Sequence, residues 1–249
     1  GDGRARAAAV ASSWASKSVD GARLFYMIDE QSEPYHLPLS VQADQIITTP
    51  PCDYDHIARR DVAIFEYFVK GRVANVCNWV ALVDDDAYLN VPSIVAKSRC
   101  IDHSKPHVMG AIYHTESVNF VHGDFRLFSQ AALPLIAHYS KACKLGGIEG
   151  FEDVALATCF HKLGRDQQLP PESFGSFDHD NNLDMPHVLN QVGKQLLHGK
   201  NVKCSLDFIH KLPPGDMMAY HTLTSKLPPC EPSDFHMRPT IDPKVPLIC

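Results

Sequence analysis

Trp79-Val80-Ala81-Leu82-Val83-Asp84-Asp85-Asp86-Ala87-Tyr88-Leu89-Asn90 decides how the rest of the chain is read. Five apolar residues run directly into three acidic ones. A continuous apolar run of that length suits a strand buried on both faces of a sheet. Three adjacent carboxylates at its C-terminal end repel one another unless a cation or solvent compensates. Ligands of open α/β sheets sit at the carboxyl ends of the strands. A hard divalent ion takes oxygen ligands, and one bound here bridges carboxylates to a diphosphate. A solvated acidic turn is the plain alternative, and the buried-strand context favours the ion.

Outward from that stretch, helical and strand patterns alternate. Residues 4–16, rich in alanine, predict a helix. A strand is expected over 22–28, ending at Asp29, and a second, short one over 45–49. Residues 56–70 carry Ile57, Val62, Ile64, Phe65, Tyr67, Phe68 and Val69, enough apolar surface for a largely buried helix. After the acidic triplet come a short helix near 92–97, strands over 107–113 and 119–128, and a helix over 129–143 that Pro134 interrupts or shifts. A helix over 152–163, a strand over 203–210 and a helix over 213–226, with its proline pair in the permissive first turn, complete the pattern. Strand, helix, strand in repetition implies a parallel sheet with helices on both faces. No repeat or linker divides residues 1–249, so one domain is expected, with 228–249 as a proline-punctuated extended tail.

Composition narrows the class. The 23 basic and 29 acidic residues leave a net charge of -6 with no basic block, which argues against nucleic acid and anionic membrane surfaces. A hydrophobic content of 45% is ordinary for a globular protein that can bury a sizeable core. Eight cysteines are widely dispersed and none forms C-x-x-C, which disfavours a zinc ribbon or thioredoxin-type site. Their even number suits at least two disulfides in an oxidising compartment, with a pairing that spacing alone does not reveal. No apolar run reaches the roughly 20 residues of a membrane helix, and no signal peptide is visible. The opening Gly1-Asp2-Gly3 reads as the start of a helix, consistent with a trimmed soluble fragment and compatible with a lost membrane anchor. No Asn-x-Ser/Thr sequon occurs; Asn75-Val76-Cys77 is a marginal substitute.

Two further pieces carry chemistry. Gly150-Phe151-Glu152-Asp153-Val154 opens an apolar helix with a carboxylate pair. Acidic residues cap helix N-termini for purely structural reasons, and the competing reading is a general base at the helix mouth. His210 ends an apolar strand before Lys211-Leu212-Pro213-Pro214. A lone histidine there is either a packed core residue or a ligand.

In order and spacing these pieces resemble the fringe-like β1,3-glycosyltransferases, the inverting family of fringe, the core 1 galactosyltransferase and the β1,3-N-acetylglucosaminyltransferases. Arg6 and Ser13-Trp14 look like the family's opening Arg…Thr-Trp helix. Asp44-Gln45-Ile46-Ile47 resembles its Gly-Asp-Ile-Ile element, and 79–90 its Phe-Val-Asp-Asp-Asp-x-Tyr-Val-Asn stretch. Residues 125–133 look like Gly-Phe-x-x-Ser-x-x-Ala-Leu, Glu152-Asp153-Val154 like the Glu-Asp-Val catalytic turn, and Phe208-Ile209-His210 with Met217-Met218 like the late histidine strand and its helix. The departures are a first strand missing before the Arg6 helix, Val121-His122-Gly123-Asp124 where the family has a glycine-rich run, and Ala11 in place of an arginine.

The resemblance implies a GT-A (Rossmann-like) α/β fold with a mostly parallel central sheet flanked by helices. It implies an inverting hexosyltransferase that moves a hexose or N-acetylhexosamine from a UDP-sugar to a hydroxyl of a glycan or glycoprotein acceptor, forming a β1,3 linkage. Asp84, Asp86 and His210 would hold Mn²⁺ or another divalent cation against the donor diphosphate. Arg6, Asp44, Asp84 and Asp85 would contact the donor, Asp85 through sugar or ribose hydroxyls. Asp153 would be the catalytic base, with Glu152 as the fallback. His179 is a minor alternative for the metal ligand, while His122 and His161 are ordinary surface or loop residues. The setting implied is the secretory pathway, in the Golgi lumen, with membrane attachment only through an anchor preceding this chain. The rival from another class is a catalytically silent homologue acting as a chaperone or glycan-binding partner.

Overall fold

The computed structural model describes residues 3–16, 22–29, 46–51, 56–71, 75–99, 101–114, 119–144, 153–159, 174–176, 208–209, 211–225 and 227–228. The protein is mixed α/β. Helices are α1 (Gly3–Ser12), α2 (Ile57–Lys70), α3 (Val91–Ser98), α4 (Ala132–Ala142), α5 (153–159) and α6 (Pro214–Thr224). Strands are β1 (Tyr26–Asp29), β2 (Ile46–Thr49), β3 (Trp79–Val83), β4 (Tyr88–Leu89), β5 (Val108–His114), β6 (Asn119–Ser129), β7 (Phe174–Ser176) and β8 (Phe208–Ile209).

The strands form three sheets: β1-β2, β3-β6-β5-β7 and β4-β8. Among the described residues the expected mostly parallel arrangement holds for β1-β2 and β5-β7 only. β6 runs antiparallel to both β3 and β5, and β4 runs antiparallel to β8. Chain length explains the β5-β6 pair. Only residues 115–118 separate the two strands, whereas a parallel crossover needs a dozen or more.

β3 departs from its expectation as well. Val80 and Leu82 are buried, Trp79 and Val83 are half-buried, and Ala81 is exposed. It lies at an edge of the four-stranded sheet, so one flank lacks a covering neighbour among the described residues. The cross-strand pairs Val80↔Phe128 and Leu82↔Arg126 point to one face, and Val83↔Phe125 and Ala81↔Leu127 to the other. The first face is covered by α2 and α4, through Ile64, Phe65, Phe68, Leu133 and Ile136. Phe65 meets Phe128 edge-on at 5.3 Å between ring centroids. The second face packs Phe125 and Leu127 against Leu89, Ile94, Ile101 and Phe208. Each fully buried large apolar side chain contributes about 1.5–3 kcal/mol relative to exposure.

α2 is helical because its buried positions, Ala58, Asp61, Ile64, Phe65 and Phe68, recur at helical spacing. The one charged member, Asp61, accepts from Arg126 Nη2 at 2.6 Å and ties α2 to the middle of β6. Pro134 shifts α4 rather than interrupting it. The helix starts at Ala132, so the proline falls in the first turn, where a missing N–H costs nothing. α6 opens with Pro213 as its N-cap and Pro214 in the first turn, as expected. Of the cysteines, Cys143 and Cys159 form a disulfide that joins the end of α4 to the end of α5, and Cys77 carries a free thiol.

β6 is irregular where it passes β5. Gly110 pairs with Arg126 and Ile112 with Val121, so a step of two residues on β5 faces a step of five on β6. The bulge is packed tightly onto Gly110. A Cβ there would sit 2.4 Å from the Phe125 carbonyl oxygen and 2.6 Å from Val121 Cγ1. Bulges of this kind bend a strand and re-aim its groups, and this one frees residues 122–125 of β6 from β5.

Candidate functional site

β3 delivers the chain into a tight turn. The Ala87 N–H donates to the Asp84 carbonyl at 3.1 Å, which closes a four-residue turn with Asp85 and Asp86 at its centre. Aspartate is favoured at the first position of such turns. Two distant segments hold the turn in place. The indole N–H of Trp14, just after α1, donates to the Ala87 carbonyl at 2.9 Å. The Leu212 N–H, just before α6, donates to the Asp86 carbonyl at 2.9 Å. β4 follows at once and pairs Tyr88 with Ile209 and Leu89 with Phe208.

Arg6 balances the acidic side chains. Its Nη1 lies 3.2 Å from Asp85 Oδ1 and 3.9 Å from Asp86 Oδ2. All three side chains reach solvent to different degrees, with Asp85 at 52% and Asp86 at 21%. Behind them, Ala9, Val10, Tyr88, Ile209, Leu212, Met217 and Tyr220 form a compact apolar cluster in which α1 and α6 meet. Tyr88 packs edge-on against Tyr220 at 4.8 Å, and its hydroxyl lies 3.1 Å from His221 Nδ1. Lys211, with φ of 59°, turns the backbone into Leu212. A left-handed conformation is uncommon for a lysine, and here it precedes the N–H that holds Asp86.

Asp153 is the first described residue of α5 and is buried, at 7% exposure. Its Oδ2 accepts from the Gly123 N–H at 3.0 Å and its Oδ1 from the Val154 N–H at 2.7 Å. Gly123 belongs to the β6 bulge, and the β3-β6 register relates it to the acidic turn. Val83 pairs with Phe125, so the next residues out are Asp84 and Asp85 on one strand and Asp124 and Gly123 on the other. Adjacent strands lie about 4.8 Å apart. The Asp153 carboxylate and the acidic turn therefore belong to the same end of the sheet.

Of the residues singled out in the sequence, Arg6, Asp85 and Asp86 meet directly, Asp84 closes their turn, and Asp153 lies at the same sheet end. Asp44, Glu152, His161, His179 and His210 fall outside the described residues. His122 neighbours Gly123 and its ring lies 6.4 Å from Phe120. No group of three or more His, Cys, Asp or Glu side chains among the described residues is arranged to hold a metal ion. The donor chemistry still suits one. Ions such as Mg²⁺ are usually held by one or two carboxylates together with substrate phosphates, not by an all-protein cage. Sequence reasoning missed Gly123 as the anchor of Asp153, Leu212 as the anchor of Asp86, and the Tyr88–His221 contact. Gly123, between a histidine and an aspartate in an apolar strand, was the available signal for a bulge.

Comparison with protein-family models and with curated proteins returns no match.

Proposed function

We propose that this chain is an inverting glycosyltransferase of GT-A type, using a UDP-sugar donor, a divalent cation and a glycan or glycoprotein acceptor. The observation that carries the reading is the juxtaposition just described: an acidic turn at the C-terminal end of β3, beside Arg6, with Asp153 across β6 at the same sheet end. Asp84 and Asp86, with His210, would hold the cation. When bound, a divalent ion neutralises charge developing on the leaving nucleoside diphosphate. Arg6 adds a fixed positive charge at the same end, and the exposed Asp85 carboxylate accepts from donor hydroxyls. Asp153 takes the proton of the acceptor hydroxyl as its oxygen attacks the anomeric carbon. One displacement from the face opposite the nucleotide inverts that centre, so an α-linked donor gives a β-linked product. Each carboxylate oxygen has two lone pairs, so the N–H groups of Gly123 and Val154 leave Asp153 room to accept a hydroxyl proton. A lumenal setting is supported by the Cys143–Cys159 disulfide.

One observation favours the second reading, a silent homologue that binds glycans or partners. Asp153 is buried and both its oxygens accept backbone N–H bonds, an arrangement that serves structure without catalysis. Titration calorimetry with UDP, in Mn²⁺ and in chelator, followed by a donor-sugar screen, separates the readings. Binding that needs the cation, with transfer from one donor, is the expected result. Equal affinity in chelator and in Mn²⁺ would remove the metal from the reading. Cation-dependent UDP binding without transfer from any donor would favour the silent homologue.

A further inference from the structure

Asn75-Val76-Cys77 has the geometry of a modification site. Asn75 is exposed, Val76 is 81% exposed, and the segment forms a short turn before β3. Cys77 carries a free thiol, half-buried against the core cluster that includes Val80 and Phe68. N-glycosylation needs an asparagine, any residue but proline, and a third residue whose side chain hydrogen-bonds in the acceptor loop. A thiol fills that third role more weakly than a hydroxyl, and only while reduced and out of a disulfide. The chain holds no Asn-x-Ser/Thr sequence to compete for the modifying enzyme.

Position decides whether the folded protein tolerates a glycan there. β3 separates the segment from the acidic turn: Asn75 precedes Trp79, and Asp84 follows Val83. Five strand residues span about 16 Å, so a glycan on Asn75 stands at the opposite end of the strand from the acidic turn. Asn75 itself is exposed and precedes the strand.

We propose that Asn75 is an N-glycan acceptor of the Asn-x-Cys type; this rests on the lumenal setting proposed above. In the step, Asn75 Nδ2 bonds to the anomeric carbon of a lipid-diphosphate-linked oligosaccharide. The bond from that carbon to the phosphate oxygen breaks, the lipid diphosphate leaves with the electron pair, and the amide gives up one proton. Because the thiol is the weaker partner, part of the population carries the glycan.

The test is mass spectrometry of the protein isolated from the cells that make it, and of variants expressed as the full chain behind a cleavable signal peptide. Amidase treatment is expected to remove a glycan and leave aspartate at position 75 in a fraction of molecules. Asn75→Gln and Cys77→Ala should abolish it, Cys77→Ser should keep it, and Cys77→Thr should raise occupancy severalfold. A glycan on Cys77→Thr but none on the parent overturns the proposal while leaving the lumenal reading intact. No glycan on either, with Cys143–Cys159 oxidised in the native protein, also overturns it and shows the segment to be inaccessible. No glycan, with Cys143 and Cys159 reduced in the native protein, overturns the lumenal reading and the proposal together.

Discussion

At Asp153 one carboxylate holds two backbone N–H groups and is asked to accept a proton as well. Asp153→Asn keeps the size and one carbonyl oxygen but cannot serve as a base. Loss of a general base costs on the order of 10²–10⁴ in rate. Transfer is therefore expected to fall by that factor while UDP and cation binding, followed by calorimetry, survive. Glu152→Gln should cost much less. Near-parental transfer by Asp153→Asn would move the role to Glu152. A variant that unfolds instead would support a purely structural aspartate. Asp61 is a different case. Its pair with Arg126 is almost fully buried, with side-chain exposures of 9% and 5%. Breaking a buried pair from one side strands the other charge and costs about 3–5 kcal/mol. Asp61→Ala is expected to lose that much in urea denaturation, and a loss below about 1 kcal/mol, the range of exposed pairs, would mean that water reaches the guanidinium.

Among the elements, α5 is secured at both limits of its described residues, 153–159. Asp153 binds the β6 bulge at one, and Cys159 is bonded to α4 at the other. The disulfide spans a sequence separation of 16, and a loop of about 15 residues is worth about 3 kcal/mol in the chain-entropy account. Cys143→Ala and Cys159→Ala should each lower the unfolding midpoint, and the double variant no further, since all three remove one bond. Gly110→Ala tests the bulge. Its new methyl meets a backbone oxygen that cannot rotate away, so a loss of about 1–3 kcal/mol is expected, together with reduced transfer as Gly123 shifts from Asp153. The long elements were legible in the sequence because periodicity over many residues is a strong signal: α2, expected over 56–70, spans Ile57–Lys70. β4 and β7 were not anticipated, since two or three residues carry no period. Strand direction was missed at β6 because an apolar run reports burial and not orientation. The Arg6–Asp85 contact joins residues 79 positions apart, and only the assembled fold brings them together.

For the molecule as a whole, acid is the informative perturbation. His107 is buried and stacked on Trp79 at 6.4 Å. Burial lowers its pKa, with Lys105 acting in the same direction and Asp102 opposing. The folded value lies below the unfolded value of about 6.5, so the unfolded chain binds more protons as pH falls. This contribution to stability is complete above about pH 6.5 and is lost as pH drops toward the folded value. His107→Phe should flatten the pH dependence of the urea midpoint in that window, and an unchanged slope would assign acid sensitivity to other groups. A separate matter is the order in which the molecule comes into being. β4 finds its partner in β8, and Asp86 finds its backbone donor in Leu212, roughly 120 residues further along. At ribosomal speeds that stretch takes on the order of ten seconds to emerge. β3, β5 and β6 can meet early, but the acidic turn stays without its far-side support until residues 208–212 leave the ribosome. A growing chain would thus carry a folded sheet before residues 208–212 braced its acidic turn, and that turn would be completed by one of the later-translated parts of the structure described here.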